Sequence, residues 1–270
     1  MALPDPDPSA TCVITGASAG IGAELARQLA VRGHGLTLVA RRRERLDALG
    51  EELRARHGVI VDVQPCDLAD QGARERLIEA LRSAERRIDV LCNNAGYGSF
   101  GRFDELPAGG ELAMVAVNVV ALHQLTSAFL PDMVARGQGA ILNLGSLAGF
   151  QPQPHNATYA ATKAFVNSFS EAVASELHGT GVSVTVLCPG PVRTEFADVA
   201  GVGDLEGRLP GFLSQSADEV ARAGIEGMAA SRRVVFPGLA HNAVAQMGRL
   251  APRSLLLPAW ARVGGRVLGG

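Results

Sequence analysis

The stretch Thr15-Gly16-Ala17-Ser18-Ala19-Gly20-Ile21-Gly22 joins a short apolar run at 11–15 to a helical pattern from Ile21 to Arg32. Glycines at such a junction allow a tight turn and a close approach of a ligand to the backbone. The first turn of the helix offers unpaired N–H groups and a partial positive charge. The stretch therefore predicts a phosphate-binding turn with candidate contacts at Gly16, Ser18, Ala19, Gly20, Ile21 and Gly22. An ordinary strand-to-helix turn is the alternative for the glycines taken alone.

Outward from this turn, short apolar runs alternate with longer helical patterns for most of the chain. Strands are expected at 11–15, 36–40, 59–64, 88–92, 140–144, 183–188 and 233–236, and helices at 21–32, 44–56, 73–82, 111–134 and 158–178. This alternation predicts an α/β, single-domain, doubly wound (Rossmann) fold with a seven-stranded parallel sheet. In such a sheet the ligand crevice lies at the carboxyl ends of the strands.

Composition limits the classes of function. The chain has 270 residues, 47% of them hydrophobic, 19% charged, with a formal net charge of −2, which indicates a folded protein without a general attraction to nucleic acid. Four cysteines without a Cys-x-x-Cys pair are expected to be reduced and buried, and the histidines show no metal-ligand spacing. The acidic, proline-rich start and the absence of an 18-residue apolar run favour a cytoplasmic protein without a transmembrane segment.

The end of the second expected strand bears on the identity of the nucleotide. An acidic residue there would hold a ribose 2′-hydroxyl, but the chain has Arg41-Arg42-Arg43. Arginines at a helix start oppose the helix dipole unless a bound anion compensates them. We therefore expect NADP, with NADPH preferred over NADH and with Arg41 and Arg42 on the 2′-phosphate, aided by Ser18. Solvated arginines are the alternative.

Two further strand ends are candidates for the adenosine half of the nucleotide. Asp67 is placed to accept a hydrogen bond from the adenine amino group and Leu68 to pack on the ring, although Asp67 would serve equally as a helix N-cap. Asn94, Ala95 and Gly96 end the fourth strand, where small residues would let the backbone pass beneath the ribose. A simple turn is the alternative there.

Tyr159 and Lys163 lie four residues apart, so on a helix both project from one face. An unperturbed tyrosine has a pKa near 10, and lowering it by about 3 units takes roughly 4 kcal/mol of preferential stabilisation of the phenolate. A nearby ammonium and an oxidised nicotinamide are credible sources of that stabilisation. Ser146 follows the fifth strand, where its hydroxyl would polarise a substrate carbonyl beside the Tyr159 proton.

In combination these motifs resemble the classical short-chain dehydrogenase/reductase family over about residues 9–195. The family fingerprint T-G-x-x-x-G-x-G, N-N-A-G, a helix Asn, a Ser, Y-x-x-x-K and P-G-x-V-x-T appears at 15–22, 93–96, Asn118, Ser146, 159–163 and 189–194. The resemblance implies that Asn118 holds a water that relays protons from Lys163. It also implies that Val192 and Thr194 hold the nicotinamide carboxamide, that Pro189, Gly190 and Tyr159 contact the cofactor, and that Lys163 bonds the nicotinamide ribose.

The sequence thus predicts an NADP-dependent oxidoreductase that transfers a hydride between the nicotinamide and a small-molecule carbonyl or alcohol, with Tyr159 as general acid and base. A non-catalytic NADP-binding sensor or scaffold is the alternative, and epimerisation or dehydration on the same scaffold is a third hypothesis. Ala19 departs from NADP-preferring relatives, many of which carry a basic residue there. An apolar substrate is preferred because Leu, Val, Phe and Met recur in residues 196–247.

The remaining segments carry weaker expectations. One domain is expected over 1–270, with the cofactor-binding and catalytic core at 9–195 and a substrate-covering segment, last strand and tail at 196–270. The stretch from Glu195 to Gln215 is expected to cover the substrate, with an ordinary surface loop as the alternative. The histidines are expected to be structural or surface residues, and His155 is the one candidate among them for a substrate contact. The basic, apolar tail 249–270 is expected to pack on the body or on another subunit, with peripheral membrane contact as the alternative. The family leads us to expect a homodimer or homotetramer.

Overall fold

The computed structural model describes residues 3–196 and 214–268. Its strands are β1 (Ala10–Thr15), β2 (Leu36–Ala40), β3 (Val61–Pro65), β4 (Arg87–Asn93), β5 (Gly139–Leu144), β6 (Val182–Leu187), β7 (Val192–Arg193), β8 (Gln215–Ser216) and β9 (Val234–Val235). Its helices are α1 (Gly20–Val31), α2 (Arg43–His57), α3 (Gln71–Arg82), α4 (Ala108–Val115), α5 (Leu122–Arg136), α6 (Ala157–Glu176), α7 (Ala217–Ala229), α8 (Leu239–Leu250) and α9 (Arg253–Leu268).

Seven of these strands form one sheet in the order β3-β2-β1-β4-β5-β6-β9, and every neighbouring pair in it is parallel. The strand order turns back between β1 and β4, which is the switch point where a doubly wound sheet opens a crevice at its carboxyl edge. The predicted doubly wound, seven-stranded parallel sheet is confirmed. Strands β7 and β8 form a separate two-stranded ladder beside it.

Helices cover both faces of the sheet because successive strand residues point to opposite sides. On β1, Ile14 packs into the apolar cluster that contains Leu25 of α1 and Ile225 of α7. Its neighbour Val13 packs into the opposite cluster with Phe129 of α5. Apolar clusters on both faces of the sheet therefore fix the helices on either side of its carboxyl edge.

The helix expected at 111–134 differs from the observed structure. A π-helical turn at Ala116–Ala121 separates α4 from α5, and this turn contains Asn118. A π-turn widens the helix locally and re-aims the side chains within it. The run from Ala108 to Arg136 is the one described helix that is long and apolar enough to span a membrane by length and composition, but its Phe129 and Met133 pack in the core instead.

Two boundaries on the adenosine side also shift. The third strand is Val61–Pro65, two residues later than its expected start, and α3 begins at an N-cap supplied by Asp70, whose Oδ1 accepts a hydrogen bond from the Ala73 N–H at 2.5 Å. Asp67 accepts only from the Ala69 N–H at 3.0 Å, in a local turn. The helix N-cap interpretation of Asp67 is therefore wrong, and Asp67 stays at the strand end.

The chain beyond β6 returns to the sheet through α7. Ser216 caps this helix in a capping box, with its Oγ accepting from the Glu219 N–H at 3.2 Å and the Glu219 carboxylate accepting from the Ser216 N–H at 2.9 Å. The capping box fixes the start of α7 at Ser216. Most of the segment expected to cover the substrate, residues 197–213, lies outside the described residues.

Candidate active site

The glycine turn after β1 has the backbone geometry that a phosphate-binding turn needs. Gly16 and Gly20 have φ values of 68° and 56°, in the left-handed region that favours glycine. A Cβ on Gly22 would collide with the Gly16 carbonyl oxygen, so a side chain there would displace the turn. The turn opens directly into α1, so the N–H groups of the first helical turn face the carboxyl edge of the sheet.

Hydrogen bonds tie this turn to the end of β4. The Thr15 hydroxyl accepts from the backbone N–H groups of Asn94 and Ala95, both at 3.0 Å. The Asn94 Nδ2 donates back to the Thr15 carbonyl at 2.8 Å. The structure thus joins two sequence motifs, nearly eighty residues apart, into one wall of the crevice.

One of the arginines after β2 contacts Ser18. Arg42 donates to the Ser18 Oγ from Nη2 at 3.1 Å and from Nε at 3.3 Å, while its Nη1 pairs with the Glu195 carboxylate at 2.8 Å. Arg45 pairs with the other oxygen of Glu195 at 2.5 Å. Arg41 is exposed beside them. The structure joins the predicted Ser18 and Arg42 and adds Arg45 and Glu195.

The residues predicted for adenine lie on the other side of the same opening. Leu68 is buried in the apolar cluster that Ala95 packs against, which joins the ends of β3 and β4. Asp67, next to it, is exposed. This placement leaves the Asp67 carboxylate available at the edge of the crevice.

Ser146 and Tyr159 meet across the end of β5. Ser146 is 9% exposed and begins a short 3₁₀ turn, where its Oγ accepts from the Ala148 N–H at 3.1 Å. Tyr159 lies in the first turn of α6. Burial raises the pKa of Tyr159 to about 12, and a hydrogen bond with Ser146 opposes that rise. The lowered tyrosine pKa expected from the sequence is therefore absent from the protein alone, because desolvation outweighs the hydrogen bond with Ser146.

Lys163 lies below this pair on the same face of α6. It is 3% exposed, its Nζ donates to the Leu144 carbonyl at 2.6 Å, and the Nζ is 5.7 Å from the centre of the Tyr159 ring. Burial lowers the pKa of Lys163 to about 8. It is also the only lysine in the chain. A lysine can release a proton when it is desolvated, whereas an arginine cannot.

Asn118 reaches the site from the π-turn. It is 1% exposed, its Nδ2 donates to the Tyr97 carbonyl at 2.9 Å and to the Thr162 Oγ1 at 3.1 Å, and its Oδ1 accepts from the Tyr97 N–H at 3.1 Å. A Cβ on Gly96 would lie 3.0 Å from this Oδ1 and 3.5 Å from the Lys163 Nζ. Asn118, Gly96 and Lys163 are thus neighbours, and the proton relay through Asn118 stays a prediction.

The P-G-x-V-x-T stretch closes the crevice from the β6 side. The Pro189 carbonyl accepts from the Leu147 N–H at 3.1 Å, next to Ser146. Thr194 faces the glycine turn, because a Cβ on Gly20 would lie 3.1 Å from its Cγ2. Val192 pairs with Gln215 in the small ladder. This stretch therefore bridges the Ser146 region and the glycine turn.

All of these groups lie along one edge of the sheet, and the same stretch of chain matches a known family. Residues 10–201 match the family described as short chain dehydrogenase. The chain belongs to the short-chain dehydrogenase family.

Relatives of this short-chain dehydrogenase include two proteins that are named for different carbonyl compounds. Sulfoacetaldehyde reductase 2 from Chromohalobacter salexigens is 40% identical over 194 residues, which cover 71% of this chain and 76% of that protein. A short-chain dehydrogenase from Sphingobium yanoikuyae, solved in complex with NADPH, is 38% identical with a TM-score of 0.80 over 92% of this chain and 95% of its own. The bulky-bulky ketone specific alcohol dehydrogenase from Comamonas testosteroni is 33% identical, with a TM-score of 0.76 over 88% of this chain and 91% of its own.

Sequence reasoning missed an aromatic wall beside Tyr159 in this short-chain dehydrogenase. The Phe196 ring lies 5.4 Å from the Tyr159 ring, and a Cβ on Gly98 would touch both rings. Phe100 packs against His155 with ring centres 6.3 Å apart. His155 has a φ of 66°, and its carbonyl is held by the Gly101 N–H at 2.8 Å. Phe100, two residues after Gly98, was the available sequence signal for one side of this wall, and Phe196 belongs to the apolar region 196–247 noted from the sequence.

The cysteines and other polar residues offer no second centre in the part of the chain that the structure describes. Cys12, Cys66, Cys92 and Cys188 are all buried and free, as expected. Within residues 3–196 and 214–268, no cluster of three or more His, Cys, Asp or Glu side chains is arranged to hold a metal ion.

Proposed function

We propose that this short-chain dehydrogenase is an NADP-dependent oxidoreductase that transfers a hydride between the nicotinamide and an apolar carbonyl or alcohol, with Tyr159 as general acid and base. The observation that carries the proposal is the convergence of Ser146, Tyr159 and Lys163 on the crevice edge that the glycine turn lines. A hydroxyl, a phenol and an ammonium, which come from the end of β5 and from α6, would thus share one site with a glycine turn whose backbone suits an anion.

The residues of this chain fit a dinucleotide with a 2′-phosphate. The left-handed Gly16 and Gly20 allow the pyrophosphate to approach the backbone, and Ile21 and Gly22 begin the helix whose dipole favours an anion. Arg42 already directs two guanidinium nitrogens at Ser18. Charge-assisted bonds from such a guanidinium suit a phosphate dianion.

The catalytic steps follow from the side chains. When bound, the reduced nicotinamide supplies the hydride for the carbonyl carbon. Ser146 donates a hydrogen bond to the carbonyl oxygen, and Tyr159 gives that oxygen its proton. The buried Lys163 ammonium stabilises the phenolate that Tyr159 leaves behind. In oxidation Tyr159 takes the proton back from the alcohol.

The direction of the Tyr159 pKa shift sets its protonation state. With a pKa raised to about 12, Tyr159 keeps its proton at neutral pH, and stabilisation of the phenolate by Lys163 and the bound cofactor is then needed for its transfer. Oxidation needs the phenolate, so the rate of alcohol oxidation should rise with pH while the rate of carbonyl reduction stays level near neutrality. Preference for NADP is consistent with reduction as the working direction.

The aromatic wall supports an apolar substrate. Phe196 places its ring beside Tyr159 and Phe100 packs against His155, so a hydrophobic or aromatic ketone would bury its surface against these rings. His155 borders the same wall and is proposed to contact the substrate. The relative specific for bulky ketones is closer to this chemistry than the relative named for sulfoacetaldehyde, which is a small anion.

A sensor or scaffold without turnover is less well supported, because Ser146, Tyr159, Lys163 and Asn118 are all present and buried or half-buried together. We also propose a cytoplasmic homodimer or homotetramer. Exposed apolar side chains on the long helices, including Val120 and Phe165, support such an assembly.

Replacement of the tyrosine tests the proposal. Tyr159→Phe is expected to lower kcat at least 1000-fold with a panel of aromatic ketones, while fluorescence titration gives an unchanged Kd for NADPH, because only the transferable proton is lost. The measurement is NADPH consumption at saturating cofactor.

Tyr97→Phe is the matched control, since Tyr97 is the only other tyrosine and its hydroxyl donates to the Gly110 carbonyl at 3.2 Å. This variant should keep activity within a few fold. Retained activity in Tyr159→Phe would remove Tyr159 from its role, and NADPH binding without turnover of any panel member by wild type would favour the sensor alternative.

A further inference from the structure

Asn167 continues the face of α6 that carries Tyr159 and Lys163, four residues further along. It is 3% exposed and takes no part in the chemistry proposed above. Its side-chain amide bonds both backbone groups of Ser146. The Nδ2 donates to the Ser146 carbonyl at 3.0 Å, and the Oδ1 accepts from the Ser146 N–H at 3.4 Å.

Such a two-point bond restrains the backbone of one residue in the way that a neighbouring strand would. Strand β5 ends at Leu144, so Ser146 lies beyond the ladder that orders the strand. Because the amide of Asn167 holds the N–H and the carbonyl of Ser146 together, it limits rotation about the φ and ψ of that residue. The direction of the Ser146 Cα–Cβ bond, and with it the Oγ, follows from this restraint.

The residues around Asn167 pack closely against its side-chain amide. A Cβ on Gly145 would collide with the Asn167 Oδ1, and a Cβ on Gly149 would lie 2.5 Å from the Nδ2. The Cys188 S–H also donates to the Oδ1, at 3.4 Å. Glycines on both sides of Ser146 therefore admit the Asn167 side chain between β5, α6 and the end of β6.

We propose that Asn167 is a positioning residue that aims the Ser146 hydroxyl at the reacting carbonyl oxygen, acting through the Ser146 backbone. The inference rests on the proposed function, because it requires Ser146 to bond the substrate. A misplacement of about 1 Å in a catalytic group can cost about 100-fold in rate. A purely structural Asn167 would instead contribute equally whether or not position 146 carries a hydroxyl.

A double-mutant cycle between Asn167 and Ser146 separates these two roles. Asn167→Leu is expected to lower kcat 10- to 100-fold in the wild-type background, with the Kd for NADPH unchanged. In the Ser146→Ala background the same substitution is expected to lower kcat less than threefold, because no hydroxyl remains to be aimed. Asn167→Asp, which keeps the shape and the acceptor, provides a second variant if Asn167→Leu does not fold.

Asn143→Asp is the matched control. Asn143 is fully buried and bonds Asn93 at 2.9 Å and Ser170 at 2.9 Å, without a bond to Ser146. The Asn143→Asp substitution should change kcat by the same factor in the wild-type and the Ser146→Ala backgrounds.

Equal losses for the Asn167 variants in both backgrounds, or no loss in the wild-type background, would overturn the positioning role alone. Full activity of Ser146→Ala would overturn the role of Ser146 in the proposed function, and the inference with it.

Discussion

At the scale of single residues, Lys163 shows how burial sets chemistry. The chain has 25 Lys and Arg residues in total, and Lys163 is its only lysine. Its Nζ is buried and donates a hydrogen bond to the Leu144 carbonyl at 2.6 Å. Desolvation disfavours its charged form and lowers its pKa to about 8, so the ammonium is the main form at neutral pH but titrates within an accessible range.

This titration can be observed directly, because a [¹⁵N]lysine label marks Lys163 alone. The Nζ chemical shift is expected to change with a midpoint near pH 8 in the folded protein, and near 10.4 in denaturant. Between these values the unfolded state binds more protons, so the contribution of Lys163 to the free energy of unfolding rises with pH. The difference between wild type and Lys163→Met should therefore change by about 2 kcal/mol in favour of wild type from pH 8 to pH 10.

Urea unfolding at each pH measures this difference. Tyr159, with its pKa raised to about 12, contributes with the opposite sign as the pH approaches and passes the unfolded value near 10, and this contribution cancels in the difference because both proteins contain Tyr159. A midpoint near 10.4 in the folded protein would show that Lys163 is solvated.

At the scale of elements, the π-turn at Ala116–Ala121 and the capping box at Ser216 place two parts of the site. The π-turn aims Asn118 at the Tyr97 backbone. The capping box starts α7 directly after β8, which pairs with β7 and so with the P-G-x-V-x-T stretch. The π-turn and the capped start of α7 are therefore each linked to the crevice by a short stretch of chain.

Removal of the N-cap tests the second of these connections. Ser216→Ala is expected to lower the free energy of unfolding by about 1 kcal/mol, since both bonds of the capping box depend on the serine hydroxyl or on the geometry it holds. Thermal or urea unfolding measures the change. Ser83→Ala, an exposed serine at the end of α3, should stay within about 0.5 kcal/mol of wild type. Equal effects of the two substitutions would contradict the cap.

At the scale of the whole molecule, nucleotide binding and folding are linked. Residues from β1, β2, β4, α6 and the stretch after β6 all line the crevice, so a bound nucleotide contacts segments that are far apart in the chain. A ligand that binds only the folded state stabilises it according to its concentration and affinity. Within the protein, the ion pair between Arg42 and Glu195 already joins two residues that are 153 positions apart in the chain.

Thermal unfolding with nucleotide measures this linkage and the preference for NADP together. NADPH at about 100 times its Kd should add about 2.7 kcal/mol and raise Tm by roughly 5–10 °C. Arg41→Ala combined with Arg42→Ala is expected to remove most of the NADPH shift and to leave the NADH shift unchanged, because only the 2′-phosphate loses its partners.

Arg43→Ala is the control, since Arg43 is exposed and pairs with Asp47 at 3.3 Å. If the double variant weakened both nucleotides equally, the phosphate would have to be bound elsewhere.

Much of this protein follows from local patterns. The alternation of apolar runs and helices determined the parallel sheet, and the glycine turn after β1 determined where the candidate phosphate-binding edge lies, because strand and helix periods and left-handed glycines are properties of short segments. The i, i+4 spacing of Tyr159 and Lys163 likewise placed both on one face of α6. These features of the fold and the candidate site were predictable without coordinates.

Only the tertiary structure decided how distant groups act on each other. The raised pKa of Tyr159 depends on how completely the fold desolvates its hydroxyl, which no spacing in the sequence reports. The Glu195 bridge to Arg42 and Arg45 and the hold of Asn167 on Ser146 join segments that are separate in the chain. Local propensity specifies elements, whereas burial and side-chain partners arise only when those elements pack, and the chemistry of the site depends on that packing.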